Sequence, residues 1–164
     1  MRPQDIVILL KIIANPVVNW QNKDLAGQLF ISQSEISDSL NRSSVAGLID
    51  AKKRKVHRQS LMEFIEHGLH FVFPALPGTM VNGMPTAHSH PFMQLAFKSE
   101  FSYVWPDARG EYRGLAIEPL YKEQVKAAAL DETLYMMLAL LDVIRVGRVR
   151  EMEVALAKLK NLLQ

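Results

Sequence analysis

The chain of 164 residues contains no cysteine, which excludes disulfides, thiolate metal sites and a cysteine nucleophile. Long apolar runs are missing too. The longest near the start, "IVILLKIIA", is interrupted by Lys11 and falls well short of the ~20 residues a membrane helix needs. No small-residue cleavage pattern follows it, since the chain passes straight into "NPVVNWQNKD". These absences point to a reducing, cytoplasmic setting. Charge excess is also lacking. Nineteen Lys and Arg stand against 17 Asp and Glu, a formal net charge of +2, so affinity for a polyanion must come from where the cations sit. Patterns for a nucleophile elbow, a phosphate loop or a metalloprotease helix are absent, which leaves an enzyme as the weakest class of reading and no cofactor expected.

What is present is a globular composition, 49% hydrophobic and 22% charged, in a length that suits one ordinary domain or two small ones sharing a core. Ile6, Leu9, Leu10 and Ile13 recur at helical spacing over residues 3–14, and Pro16, Val17 and Val18 end that helix. Asn22 is the expected N-cap of a second helix facing inward with Leu25, Ala26 and Leu29. Ile31 and Ser32 connect it to a third, from Gln33, with Ile36 and Leu40 inward and Gly47 as its break. "SLMEFIEHGL" reads as another short helix stopped by Gly68. From Ala127 the chain is helical again: Asp131 caps a helix bearing Leu134, Leu138, Leu141 and Ile144, and Gly147 kinks it or separates a last one.

The middle has a different texture. "FVFPALPG" (71–78) and "YVWPDARG" (103–110) share one pattern, either two equivalent strand-to-turn corners or a chance likeness of aromatic strands. Residues 101–106 and 111–118 read as a β-hairpin turning at Asp107–Gly110, and "PGTMVNGMPTAHSHP" as a loop. His88 and His90, an i, i+2 pair next to Pro91, have no carboxylate cluster or thiolate beside them in sequence, so no metal is expected there. In "RVGRVRE", Arg145, Arg148 and Arg150 read as a solvated face or as partners of Asp142 and Glu151 rather than an anion site.

Leu25-Ala26, Leu29, Ile31, Ser32-Gln33-Ser34, Ile36, Ser37, Leu40 and Gly47-Leu48-Ile49 form the strongest constellation. A small Ala26 lets two helices cross closely, Ile31 and Ile36 fill their angle, and the following helix keeps an exposed polar face. Over roughly residues 5–50 this resembles the helix-turn-helix of winged-helix regulators of the MarR and ArsR type. The segments "LMEFIEHGLHFVFPALPG", "GMPTAHSHP" and "LLDVIRVGRVRE" are similar to bacterial proteins that carry an N-terminal MarR-like winged helix, which implies no activity for the second half. Two departures stand out. Phe30 occupies the turn position where the family usually has Gly, and "GLID" leads into the basic run 52–58 instead of a full wing, which is then missing or reduced to that run.

The third helix poses an electrostatic problem, since up to Leu40 its only charges are the acids Glu35 and Asp38. "SQSE" is written as a capping box between Ser32 and Glu35, and Asp38 stands four residues before Arg42, ion-pair spacing. That leaves Ser32, Gln33, Ser34, Ser37, Asn41 and Arg42 as hydrogen-bonding candidates for DNA. Lys52, Lys53, Arg54, Lys55 and Arg58, within "KKRKVHR", would supply the charge.

The expected fold class is therefore α+β: an N-terminal winged-helix-like helix-turn-helix bundle (1–58), then a region (59–164) with a small antiparallel sheet and a C-terminal helical hairpin that dimerises or senses an effector. The expected function is a sequence-specific transcriptional regulator that binds double-stranded DNA as a homodimer. The rival is a protein-interaction module, an antitoxin or adaptor, that keeps the shape without reading DNA. Val149, Met152, Leu156, Leu159 and Leu163 form an apolar stripe flanked by charges, read as the dimer seam; its alternative is packing onto the chain's own sheet.

Overall fold

Every side chain from Ile6 to Leu10 is buried, so the first helix, α1 (Pro3–Ala14), is enclosed on all sides. It is the centre of the N-terminal region in the computed structural model, which describes residues 1–15 and 17–164; the helix-ending role expected of Pro16 lies outside the described residues. Helices α2 (Asn22–Leu29) and α3 (Gln33–Val45) pack against α1 through Leu25, Leu29, Ile36 and Leu40. The cap of α2 is Gln21, whose N–H donates to the Asp24 carboxylate at 2.7 Å, so Asn22 is the first helical residue and not the cap. Gly47, with φ 73°, turns the chain out of α3 as expected.

A short extended pair follows. Ile49 bridges Val56 antiparallel, His57 N–H donates to Leu48 O (2.9 Å) and Asp50 N–H to Lys55 O (2.9 Å). The Asp50 carboxylate accepts from Arg54 N–H (2.6 Å) and Lys55 N–H (2.8 Å), closing the tip. Then come α4 (Arg58–His67), ended at Gly68, and α5 (Leu69–Val72). Phe71 and Val72 thus belong to a helical turn and residues 74–78 to a loop, so the likeness of "FVFPALPG" to the second aromatic segment is not structural.

The expected loop contains a strand. β1 (Met80–Pro85) pairs antiparallel with both β2 (Tyr103–Pro106) and β3 (Tyr112–Ala116), which run parallel to each other and close a three-stranded barrel. The sheet is mixed, and β2 and β3 are not a hairpin. Gly83, which reads as a loop signal, is the reason: it pairs with Pro106 on one side and Tyr112 on the other, and a Cβ there would lie 1.9 Å from Trp105 O. Gly114 admits Ser102 in the same way, at 2.7 Å.

A 3-10 turn (Ala87–Ser89) and α6 (Pro91–Ala96) separate β1 from β2, and α7 (Gln124–Ala129), α8 (Glu132–Val146) and α9 (Val149–Leu162) complete the chain. Asp131 caps α8 as expected, accepting from Leu134 N–H at 2.9 Å, and Gly147 separates α8 from α9. α8 is buried along most of its length and packs on α1, so one apolar cluster runs through both regions. Lys11 of α1 reaches the Asp131 carboxylate at 2.5 Å across that contact. The barrel is pinned to α8 by the buried Asp142, which accepts from Thr86 Oγ1 (2.7 Å), Trp105 Nε1 (2.6 Å) and Arg145 (2.7 Å). Burial pushes the Asp142 carboxyl above its usual range, and Arg145, Thr86 and Trp105 pull against that shift.

The C-terminal stripe needs correction. Leu159 and Leu163 are buried with Ala155 in the chain's own core, and Met152 and Leu156 pack against that core, so the stripe is the inner face of α9 against α8. Only Val149 of the five is well exposed. A charged border around an apolar stripe describes any amphipathic helix, and at fewer than three heptads it does not distinguish a seam from a core.

Candidate nucleic-acid interface

Ser32 caps α3 by accepting from Glu35 N–H at 3.2 Å, but the reciprocal half of the capping box is not formed. The Glu35 carboxylate instead accepts from Arg42 (2.6 Å), Gln4 (2.6 Å) and Arg2 (3.2 Å). Arg42 also forks onto the fully buried Asp5, at 2.8 and 3.0 Å, and is not paired with Asp38. Two arginines and two carboxylates thus form a balanced network between the start of α1 and the inner flank of α3. The Arg42 hydrogen bond holds Glu35 below the usual carboxylate range. At Asp5 burial works upward, but the bonds from Arg42 and the Arg2 backbone outweigh it, and its carboxyl is held low. Arg42, partly exposed, is therefore committed to two carboxylates of its own chain, which takes it out of the proposed DNA-binding set. Sequence spacing could not show this, because Asp5 lies 37 positions from its partner. A lone acid among the buried positions of α1 was the one signal in the sequence.

With Glu35 neutralised, Ser32, Gln33, Ser34 and Asn41 are exposed and Ser37 half-exposed on the outer side of α3. Asp38 stays exposed among them and forms no ion pair among the described residues. Beside this face lies the tip of the 48–57 pair. Lys53, in a left-handed conformation (φ 57°), donates from its ammonium to Asn41 Oδ1, which ties the tip to α3. Lys52 and Lys55 are exposed.

The other two cations of the run are committed elsewhere. Arg54 lies 4.6 Å over the Trp20 ring and donates to Trp20 O, which fixes the tip to the α1–α2 connection. Arg58, at the first turn of α4, donates to the backbone oxygens of Leu163 (2.9 Å) and Gln164. Both side chains are exposed, but their guanidinium groups are bonded to Trp20 and to the C-terminal backbone and not to α3. A charge run counted in sequence overstates the cations without an intrachain partner, because arginines also bind backbone carbonyls and rings of their own chain.

Elsewhere, His88 Nε2 lies 2.9 Å from the Glu151 carboxylate, a partner that the local sequence did not offer, and His90 caps α6. No group of three or more metal-ligating side chains occurs among the described residues. Arg145 pairs with Asp142 as their spacing suggests, whereas the Glu151 carboxylate takes the backbone N–H of Arg148 and forms no ion pair with its guanidinium among the described residues. Among the described residues no helix is long and apolar enough to cross a membrane. Comparison of the chain with known protein families, curated proteins and solved structures finds no match.

Proposed function

We propose that the protein is a sequence-specific DNA-binding transcriptional regulator of winged-helix type. In this reading α3 enters the major groove and the 48–57 pair is a shortened wing. One observation carries it: the Lys53–Asn41 bond joins a cationic tip to a polar helix face whose buried flank has already neutralised Glu35. Gln33, Ser34 and Ser37 offer hydrogen bonds to base edges near the start of α3, where recognition helices read bases, and Asn41 adds its side-chain NH2 farther along the same face. Lys52, Lys53 and Lys55 offer charge to phosphates. One helix-turn-helix covers few base pairs, so the protein acts as a homodimer on paired half-sites, joined by a surface other than the inner face of α9.

Replacing Lys52, Lys53 and Lys55 together with Ala tests this. The log–log dependence of affinity on salt should flatten, by about 0.9 for each phosphate no longer neutralised, and all duplexes should weaken alike. Unchanged affinity and slope would remove the tip from the interface. Asp38, exposed on the same face, favours the rival reading as a protein-interaction module. Under that rival Asp38→Asn leaves DNA binding absent; under ours it strengthens binding by relieving a repulsion.

A further inference from the structure

Two non-glycine residues in left-handed backbone bracket α3. Phe30 (φ 56°, ψ 38°) occupies the turn before it, and Lys53 (φ 57°) sits in the tip that bonds Asn41. The third such residue, Ala87, is buried in the other half of the chain. This conformation is disfavoured for a bulky L-residue, and where it persists it gathers at binding surfaces.

The turn itself demands the left-handed residue. α2 ends with the Phe30 and Ile31 N–H groups both returning to Ala26 O, and the chain must then reverse into the Ser32 cap. Glycine or asparagine would do this without strain. A ring stands there instead, 45% exposed, although Leu25, Leu29, Ile36 and Tyr121 already fill the space beneath the turn. The neighbouring Lys126, paired with Glu123 at 2.5 Å, lies 5.9 Å from the ring, at the outer limit of a cation–π contact, and so gives the ring only a weak partner. The ring is thus neither required by the turn nor used by the core.

We infer that Phe30 is a further DNA-binding residue, its ring packing against the deoxyribose face of the strand where the start of α3 meets the groove. The inference rests on the DNA-binding function proposed for α3. Phe30 stands two residues before the α3 cap, at the same end as Gln33 and Ser34. A phenyl ring has no donor or acceptor for base edges, so it fits the apolar sugar surface between phosphates and contributes without regard to sequence. Because no charge is involved, no counterions are released.

The test uses the full chain and a fluorescent mixed-sequence duplex at about 50 mM salt, where non-specific binding is measurable. Phe30→Gly keeps the left-handed turn and removes only the ring. It should bind roughly three- to tenfold more weakly, the effect of half an aromatic ring's burial, with an unchanged salt slope. Phe30→Tyr should stay within about twofold, since its ring area is retained. Phe30→Asn also tolerates this backbone and replaces the glycine variant should the latter lose its helical signal. Wild-type affinity in the ring-less variant would overturn the inference while leaving the DNA-binding function intact, as would a weakening matched by a flatter slope, the mark of a displaced tip. Failure of the wild type to bind the duplex would overturn both.

Discussion

Arg42 touches both carboxylates that would otherwise burden α3, and its removal should reveal that. Arg42→Gln leaves Asp5 buried and unpaired, a destabilisation of about 3 kcal/mol near neutral pH by the usual cost of breaking a buried ion pair. The sign with pH follows from the shifts. Asp5 and Glu35 are both held below their ordinary values, so their contribution is complete above the unfolded carboxylate range and lost as pH falls through the folded values. Wild-type melting temperature should drop on acidification below about pH 4, whereas the deficit of Arg42→Gln should shrink over the same interval, because an unpaired Asp5 gains by protonation. Melting curves of both proteins from neutral to acid pH decide this; parallel curves would show that the network carries no net stability. Gln33 is tied down by no hydrogen bond among the described residues and can be judged on DNA alone. Gln33→Ala should cost about 1–3 kcal/mol on a preferred site and little on mixed sequence if the amide reads a base, and equal weakening on both would make it a positioning residue.

α9 and the barrel show how far local pattern reaches. Leu159→Glu puts a carboxylate into a fully buried position and should unfold the chain, whereas Val149→Glu, at the exposed start of the same helix, should shift stability by no more than ~0.5 kcal/mol. Circular dichroism melts with sedimentation separate this from the seam reading, in which Leu159→Glu would yield a folded monomer. In the barrel, Gly83→Ala would force β1 away from Trp105, and loss of near-ultraviolet signal with a retained helical spectrum is the expected outcome. Elements written by short-range rules were legible in sequence: the Ser32 and Asp131 caps, the Gly47 and Gly68 stops, and the apolar spacing of α1 and α8. Those set by distant partners were not. β1 has little β-favouring sequence, and only the approach of β2 and β3 on its two sides makes Gly83 necessary. Glu35 left its capping box for Arg42 and Arg2 for the same reason: a charged partner outcompetes a backbone N–H.

The two regions share one core, with α8 against α1 and Tyr121 OH donating to Leu29 O at 3.0 Å beneath the α2–α3 turn. The exposed polar face of α3, the tip and Phe30 therefore rest on a core to which both regions contribute. Of the eleven residues the sequence offered for DNA, Ser32, Gln33, Ser34, Ser37, Asn41, Lys52, Lys53 and Lys55 keep side chains available on or beside α3, while Arg42, Arg54 and Arg58 are bonded to other groups of the chain. Recovery and sequencing of genomic fragments bound by the purified full chain, beside a Gln33→Ala, Ser37→Ala double variant, tests the DNA-reading proposal at its root. The wild type should enrich fragments sharing a short motif repeated about one helical turn apart, and the variant should recover DNA without that motif. Recovery of no DNA above a bead control, or of the same motif by both proteins, would show that α3 does not read sequence.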